Sequence, residues 1–179
     1  MKLIVIDRDG VINHDSDAYI KSPEEWHPID GSLEAIARLN HSGYTVVVAS
    51  NQSGLARGYF DIEALNNIHK KMDVMLAKVG GRIDAVFYCP HGPDDGCSCR
   101  KPKPGMLLEI GQRFNVPLNE VTFIGDSVSD IKAASNTLSK AVLVRTGKGL
   151  KAEKILRVED GESVPVFDDL ASAVTSILR

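Results

Sequence analysis

The chain has 179 residues, 43% of them hydrophobic, which is enough for one domain with a single sizeable core. Its 21 Lys and Arg and 24 Asp and Glu leave a net charge of -3, so long-range electrostatics do not favour nucleic acid or a membrane surface as partner. The longest apolar runs are only as long as strands, and no signal-peptide pattern is present, so we expect a cytoplasmic protein. The absence of an exposed apolar stripe on the predicted helices favours a monomer.

Short β-branched segments alternate with helical patterns along the chain. The predicted strands are Lys2–Ile6, Tyr44–Ala49, Asp84–Tyr88, Val121–Ile124 and Ala141–Val144. The predicted helices are Ser32–Asn40, Ile62–Val79, Met106–Phe114, Ile131–Ala134 and Leu170–Leu178, and the charged stretch 148–161 is predicted as a peripheral helix or loop. This order predicts one α/β domain over residues 1–179, with a doubly wound, mainly parallel sheet between two helix layers.

Two carboxylates, Asp7 and Asp9, directly follow the first predicted strand, and Gly10 permits a tight turn after them. Ligands bind at the carboxyl ends of strands in open sheets of this kind. A pair of acids there favours a cation site, with one carboxylate as nucleophile and the other as acid and base. The alternative is a polar strand end with Asp9 and Gly10 in an ordinary turn.

Further polar residues follow the later strands. Hydroxyl and backbone N–H groups after the second strand could hold phosphoryl oxygens, or could belong to a helix-capping loop: Ser50, Asn51, Gln52 and Ser53. Lys101, in a proline-rich segment, could neutralise phosphate or lie in a solvated basic loop. Asp126 follows the fourth strand and could complete a Mg²⁺ site, a role compatible with capping the next helix.

All three cysteines lie in one short segment, 89–99, together with a histidine. Cys89, His91, Cys97 and Cys99 form a Cys₃His set suited to a closed, tetrahedral, structural Zn²⁺ site. A disulfide is the alternative, but an odd number of cysteines and a cytosolic location both disfavour it. The other four histidines do not repeat at ligand spacing and are assigned no role: His14, His27, His41 and His69.

These motifs, in this order, resemble those of the haloacid dehalogenase (HAD) superfamily of phosphatases. They are Asp-x-Asp-Gly after the first strand, Ser-Asn after the second, a Lys before a helix, and Gly-Asp-x-x-x-Asp after a late strand, over residues 2 to 146. Longer strings, such as Cys-Arg-Lys-Pro-x-Pro-Gly-Met, are similar to those of the heptose bisphosphate phosphatases, whose nearest relatives are the histidinol phosphate phosphatases. The resemblance implies a HAD-like Rossmannoid fold without a large cap domain.

The resemblance also implies a reaction. It is Mg²⁺-dependent removal of the 7-phosphate from D-glycero-D-manno-heptose 1,7-bisphosphate, in the synthesis of ADP- or GDP-heptose and lipopolysaccharide core precursors. Asp7 would be the nucleophile that forms an aspartyl-phosphate, and Asp9 the proton donor and acceptor. Mg²⁺ would be held by Asp7, Asp9 and Asp126 and oriented by Asp130, with Ser50 and Lys101 as catalytic partners of the phosphoryl oxygens.

Substrate contacts implied by the resemblance lie in three segments. They are Asn13, Asp15, Ser16, Asp17, Tyr19, Ser50, Asn51, Gln52, Ser53, Arg100 and Lys101. The zinc loop would fasten Arg100 and Lys101 beside the substrate. One departure is Ser127, where many members of the family have Lys, and it leaves the preferred anomer open.

Other functions compete with this interpretation. A histidinol phosphate phosphatase is the main enzymatic alternative, and a polynucleotide 3'-phosphatase is disfavoured by the acidic charge balance. A non-catalytic, zinc-stabilised binding module would leave the polar strand ends unexplained. We therefore expect a small-molecule sugar bisphosphate as partner, and neither nucleic acid nor a membrane.

Overall fold

A computed structural model describes residues 1–159 and 164–179. Within them, the strands are β1 (Lys2–Ile6), β2 (Tyr44–Asn51), β3 (Ala85–Cys89), β4 (Thr122–Gly125), β5 (Lys140–Val144) and β6 (Val166–Phe167). The α-helices are α1 (Ser32–His41), α2 (Ile62–Lys78), α3 (Gly105–Phe114), α4 (Val128–Asn136), α5 (Gly149–Glu159) and α6 (Leu170–Ile177). All five predicted strands and all five predicted helices are thus present, β1 with the predicted bounds and the others with ends shifted by a few residues.

The six strands form one sheet in the order β3-β2-β1-β4-β5-β6, and every neighbouring pair is parallel. In the register, Ile4 of β1 lies between Val46 of β2 and Thr122 of β4. The order reverses at β1, because the chain first winds outward to β3 and then continues from β4 on the other side. The carboxyl end of β1 therefore lies at the switch point where ligands bind in doubly wound sheets.

Both faces of the sheet are covered, as the continuous apolar strands predict. Successive residues of β1 alternate between the two cores: Ile4 and Ile6 pack with α1, α2 and α6, whereas Leu3 and Val5 pack with α3 and α4. The doubly wound α/β fold predicted from the sequence is confirmed. No cap domain interrupts the described residues, and no helix among them has the length and apolar character needed to cross a membrane.

Two elements differ from the prediction, and a third resolves an alternative that the sequence left open. The capping box of Ser127 and Asp130 starts α4 at Val128, three residues before the predicted start. The charged stretch predicted as helix or loop forms α5, and residues 160 and 161 at its end lie outside the described residues. The two-residue strand β6 was not predicted, because so short a segment has no measurable periodicity.

Candidate active site

Three carboxylates meet at the carboxyl edge of the sheet, between the ends of β1 and β4. Asp7, Asp126 and Asp130 each offer an oxygen, and these oxygens all lie within 4.8 Å of one another. Burial, and then the charge of Asp130, raise the pKa of Asp7 well above its ordinary value. The same two causes raise the pKa of Asp126 to about 7. The cluster therefore concentrates negative charge that a cation would stabilise.

Lys101 supplies one cation to this cluster from the segment after the cysteines. Its buried Nζ donates to Asp130 Oδ1 at 2.7 Å and to the carbonyl of Ala49 at 2.8 Å, and it lies 3.1 Å from Asp7 Oδ1. Although burial lowers it, the neighbouring carboxylates of Asp130 and Asp7 keep the pKa of Lys101 above its ordinary value. The ammonium has three N–H donors, and these three acceptors use all of them.

Asp130 orients the cluster through donors that surround its carboxylate. Oδ2 accepts from the backbone N–H groups of Asp126 and Ser127, each at 3.1 Å, and from the Ser127 hydroxyl at 2.8 Å. Oδ1 accepts from Lys101. Because both oxygens are occupied, Asp130 is suited to positioning its neighbours more than to binding a ligand itself.

The second carboxylate of the first motif, Asp9, points to a different set of partners. Oδ1 accepts from Arg8 Nε and Asn13 Nδ2, each at 2.9 Å, and Oδ2 accepts from Gln52 Nε2 at 3.1 Å. Burial raises the pKa of Asp9, but the Arg8 guanidinium and these hydrogen bonds outweigh it, and the net effect lowers the pKa. Asp9 is therefore ionised at neutral pH and is held by side-chain donors that do not bond to the three-carboxylate cluster.

A cavity of about 350 Å³ opens over these groups. Its lining includes nearly all residues that the sequence assigned to the site: Asp7, Asp9, Asp15, Ser16, Asp17, Tyr19, Ser50, Asn51, Gln52, Ser53, Arg100, Lys101, Asp126 and Asp130. Asn13 is the exception. It is fully buried and donates to Asp9 and to the carbonyl of His14, so it supports Asp9 from behind and has no surface for a substrate.

The end of β2 links this cavity to the segment that carries Lys101. Gln52 Nε2 donates to Ser50 Oγ at 2.8 Å as well as to Asp9. Asn51 donates to the carbonyl of Lys101 and accepts from its backbone N–H, both at 3.1 Å. These reciprocal bonds fix the backbone of Lys101 against β2.

The predicted zinc ligands form a second cluster at the end of β3. One ligand atom from each of Cys89, His91, Cys97 and Cys99 lies within 4.8 Å of every other, and the three cysteines are free thiols. Cys89 Sγ lies 2.9 Å from Cys99 Sγ and 3.7 Å from Cys97 Sγ, and His91 Nδ1 lies 3.3 Å from Cys99 Sγ. Both sulfur–sulfur distances exceed the length of a disulfide bond, which is about 2.05 Å.

Comparisons with known proteins identify the family. A model described as HAD-hydrolase-like matches residues 98–173. This chain is 50% identical to the D-glycero-beta-D-manno-heptose-1,7-bisphosphate 7-phosphatase of Pseudomonas aeruginosa and 52% identical to that of Bordetella bronchiseptica. The alignments cover 99% and 100% of this chain, and 98% and 99% of those proteins. The chain belongs to this family of phosphatases.

A solved structure agrees with this assignment. The phosphatase matches the crystal structure of D,D-heptose 1,7-bisphosphate phosphatase from B. bronchiseptica, complexed with magnesium and phosphate, with a TM-score of 0.95 and 52% identity. The match covers 99% of this chain and 98% of that one. The phosphatase is a phosphoric monoester hydrolase with an α/β HAD-like fold, as its motifs predicted. Membership of this family favours an enzyme over a binding module.

Arg8 and Lys148, which had no role predicted from the sequence, contact the site of the phosphatase, and His69 contacts Arg8. Arg8 is fully buried between Asp9 and His69, whose Nε2 lies 3.1 Å from Arg8 Nη1. Lys148, in the segment after β5, donates its backbone N–H to Asp126 Oδ2 at 2.9 Å. Arg8 lies between the two aspartates of the first motif, a position that could have indicated its role, whereas His69 and Lys148 are far from any motif.

Proposed function

We propose that the phosphatase removes the 7-phosphate from D-glycero-β-D-manno-heptose 1,7-bisphosphate, in the supply of nucleotide-activated heptose and lipopolysaccharide core precursors. The names of the relatives at about 50% identity support both the substrate and the β anomer. The meeting of Asp7, Asp126, Asp130 and Lys101 in one cavity is the observation that carries the chemistry. A monomeric state and a cytoplasmic location stay predictions.

The three-carboxylate cluster fits a Mg²⁺ ion. Carboxylate oxygens are the ligands that this hard cation prefers. Burial, and then the charge of Asp130, raise the pKa values of Asp7 and Asp126, and the ion would offset that charge. Asp7 and Asp126 would hold the ion with the backbone carbonyl of Asp9, while Asp130 keeps its four internal hydrogen bonds. When bound, Mg²⁺ supplies electrostatic stabilisation of the phosphoryl oxygens. The magnesium and phosphate in the B. bronchiseptica structure support this assignment.

Asp7 acts as the nucleophile in this proposal. The backbone N–H of Arg8 donates to Asp7 Oδ1 at 2.8 Å, and Lys101 contacts the same oxygen, so the carboxylate is held in one orientation. Its attack forms a bond from the carboxylate to phosphorus as the bond from phosphorus to the sugar oxygen breaks. Water then attacks the aspartyl-phosphate, releases inorganic phosphate and restores Asp7.

Asp9 is the proton donor in the first step and the proton acceptor in the second. In the ligand-free site it is ionised, which suits it to accept a proton from the attacking water. A bound phosphate ester adds negative charge beside Asp9, which raises the pKa of the carboxyl and allows it to deliver a proton to the departing sugar oxygen. Gln52 and Arg8 hold the carboxylate in place during both transfers.

Ser50 and Lys101 stabilise the phosphoryl oxygens. The Ser50 hydroxyl lies in the lining of the cavity and accepts from Gln52, which leaves its own hydrogen free to donate to an oxygen of the substrate. Lys101 Nζ lies 3.1 Å from Asp7 Oδ1. As Asp7 loses its charge, the N–H group that faces it can donate to a phosphoryl oxygen instead.

The sugar and its second phosphate are recognised at the mouth of the cavity. Arg100, next to Lys101, provides planar paired donors suited to the 1-phosphate. The polar loop after β1 provides acceptors and hydroxyls suited to sugar hydroxyl groups: Asp15, Ser16, Asp17 and Tyr19. In this proposal the zinc cluster fastens the segment that presents Arg100.

The Cys₃His cluster fits a structural Zn²⁺ ion. Three sulfurs and one imidazole nitrogen within 4.8 Å of one another match a closed four-ligand site, with no position for water. Burial raises the pKa of Cys97, but hydrogen bonds from the backbone N–H of Arg100 and from the other thiols outweigh it and lower the pKa to about 6. The ligand segment is joined to the active site through the backbone N–H of Gln52, which donates to the carbonyl of Cys89 at 2.8 Å.

Phosphate release from purified protein tests this proposal. With Mg²⁺, we expect the highest kcat/KM on the β anomer of heptose 1,7-bisphosphate, and lower values on the α anomer and on histidinol phosphate. Asp7→Asn, matched in shape to the wild type, should lower turnover by far more than tenfold, because it removes covalent catalysis. A higher kcat/KM on histidinol phosphate, or an Asp7→Asn enzyme within about tenfold of wild type, would contradict the proposal.

A further inference from the structure

The segment between β5 and α5 is built into the active site. The Thr146 hydroxyl donates to the carbonyl of Gly10 at 2.6 Å, and the backbone N–H of Lys148 donates to Asp126 Oδ2 at 2.9 Å. Gly147 has a φ of +57°, and a Cβ atom there would lie 2.2 Å from Asp126 Oδ2. Only glycine allows so close an approach. The contacts fix the backbone of Lys148 beside a carboxylate of the proposed metal site.

The two lysines that line the cavity differ in how many of their ammonium N–H groups already bond to the protein. Lys101 uses all three of its N–H groups on protein acceptors. The Lys148 side chain is 61% exposed, and its Nζ makes one long ion pair of 3.6 Å with Asp15 Oδ2. Burial lowers the pKa of Lys148, but the charges of Asp15 and Asp126 outweigh it and raise the pKa, so the group is charged at neutral pH.

The position of Lys148 determines which part of a substrate it can reach. Arg100 follows β3, two strands from β1 on one side, whereas Lys148 follows β5, two strands from β1 on the other. Both line the cavity over Asp7. The backbone N–H of Lys148 is hydrogen-bonded to Asp126, and a carboxylate oxygen of Asp126 lies within 4.8 Å of a carboxylate oxygen of Asp7. The flexible side chain of Lys148 can therefore bring its ammonium to a phosphoryl group at Asp7.

We propose that Lys148 is a further substrate-binding residue, whose ammonium contacts the phosphoryl group that is transferred to Asp7. This inference rests on the proposed function, because it assigns a contact within the same reaction. Asp15 holds the ammonium over the cavity until the substrate arrives, and the stronger charge of the phosphoryl group then takes its place as acceptor. Arg100, on the other flank, remains the residue for the second phosphate.

Steady-state kinetics of Lys148→Met test this inference, since the substitution keeps the backbone N–H to Asp126 and removes only the ammonium. We expect kcat/KM to fall about 10- to 100-fold on both heptose 1,7-bisphosphate and heptose 7-phosphate. Lys148→Arg should recover most of the loss, and Lys154→Met, at an exposed lysine in the second turn of α5, should match wild type. An Arg100→Met enzyme should lose more on the bisphosphate than on the monophosphate.

Inorganic phosphate, measured by calorimetry with Mg²⁺ present, is a second probe, because it occupies only the phosphoryl position. Its Kd should rise about tenfold or more in Lys148→Met. An unchanged phosphate affinity, or a loss of activity confined to the bisphosphate, would overturn the inference. If wild type does not hydrolyse either heptose phosphate, the proposed function fails, but the phosphate measurement still decides the role of Lys148.

Discussion

Arg8 donates to both carboxylate oxygens of Asp9, from Nε to Oδ1 at 2.9 Å and from Nη2 to Oδ2 at 3.2 Å. This paired geometry requires the planar guanidinium, and the Arg8 side chain is completely buried. The interaction fixes the plane of the carboxylate that we assign to proton transfer. It also explains why the first motif places a basic residue between two acids in this chain.

Arg8→Lys should lower kcat about 10- to 100-fold with little change in KM, because one ammonium cannot hold both oxygens of Asp9 in the orientation for proton transfer. The measurement is steady-state phosphate release, with thermal melting to establish that the variant is folded. Arg82→Lys, at an exposed ion pair with Asp84, is the matched control and should behave as wild type. Wild-type kcat in Arg8→Lys would show that proton transfer does not depend on the paired contact.

His69 supports Arg8 from α2, and it should make the stability of the protein depend on pH. Burial, and then the charge of Arg8, lower the pKa of His69 to about 4 from an ordinary value of 6.5. The unfolded chain therefore binds this proton more tightly than the folded protein does. The contribution to stability is complete above pH 6.5, falls as the pH drops below that value, and is fully lost at about pH 4.

Urea unfolding at pH 7.5 and pH 4 measures this effect. Over that range His69 should account for about 3 kcal/mol of the loss in wild-type unfolding free energy, and His69→Gln should lack this part of the loss. His41→Gln, at an exposed histidine, should keep the wild-type dependence. The assignment fails if wild type and His69→Gln lose the same free energy between the two pH values.

Zinc should be required for the position of Arg100 and Lys101. We expect about one zinc per purified chain, and Cys97→Ser should lose the metal. With free zinc a hundredfold above its Kd for the wild type, Cys97→Ser should have an unfolding free energy about 3 kcal/mol lower than the wild type. Its KM should rise more than its kcat falls, because Arg100 directly follows the last zinc ligand. Ser98→Ala, inside the same loop, is the control for a change that spares the ligands.

Metal analysis, thermal melting and kinetics on the same preparations check this prediction. The structural role of zinc would be excluded if chelated wild type, free of zinc by emission spectroscopy, kept its KM and its melting temperature.

The fold was predictable because its signals are local. Each inner strand is apolar on both faces, and each main helix repeats apolar residues at helical spacing, so these elements follow from nearby residues. The close placement of Asp7 and Asp9 and the clustering of the three cysteines with His91 were predictable for the same reason, since each set lies within a short segment. The strand β6 was missed because two residues, Val166 and Phe167, do not establish a period.

The residues that the sequence did not reveal act across long separations. His69 lies 61 residues from Arg8, and Lys148 lies 22 residues from Asp126. Their roles depend on which loops the strand order brings to one edge of the sheet. Asn13 shows the converse: its polar side chain follows the first motif, but the turn after β1 buries it behind Asp9. Only the folded arrangement separates a residue that lines the cavity from one that supports it.

Asp130 should contribute more to stability than a simple helix cap, because its carboxylate accepts from four donors, one of which is the buried ammonium of Lys101. Asp130→Asn keeps the shape but places an NH₂ group against at least one of these donors, and it leaves Lys101 beside fewer negative charges. We expect it to lower the unfolding free energy by about 3–5 kcal/mol and to lower kcat, since Lys101 loses its anchor. Ser127→Ala removes only the hydroxyl of the capping box and should cost about 1 kcal/mol. Urea unfolding and phosphate release of both variants provide the comparison. An equal loss of unfolding free energy in the two variants would show that Asp130 stabilises the protein only as part of the helix cap.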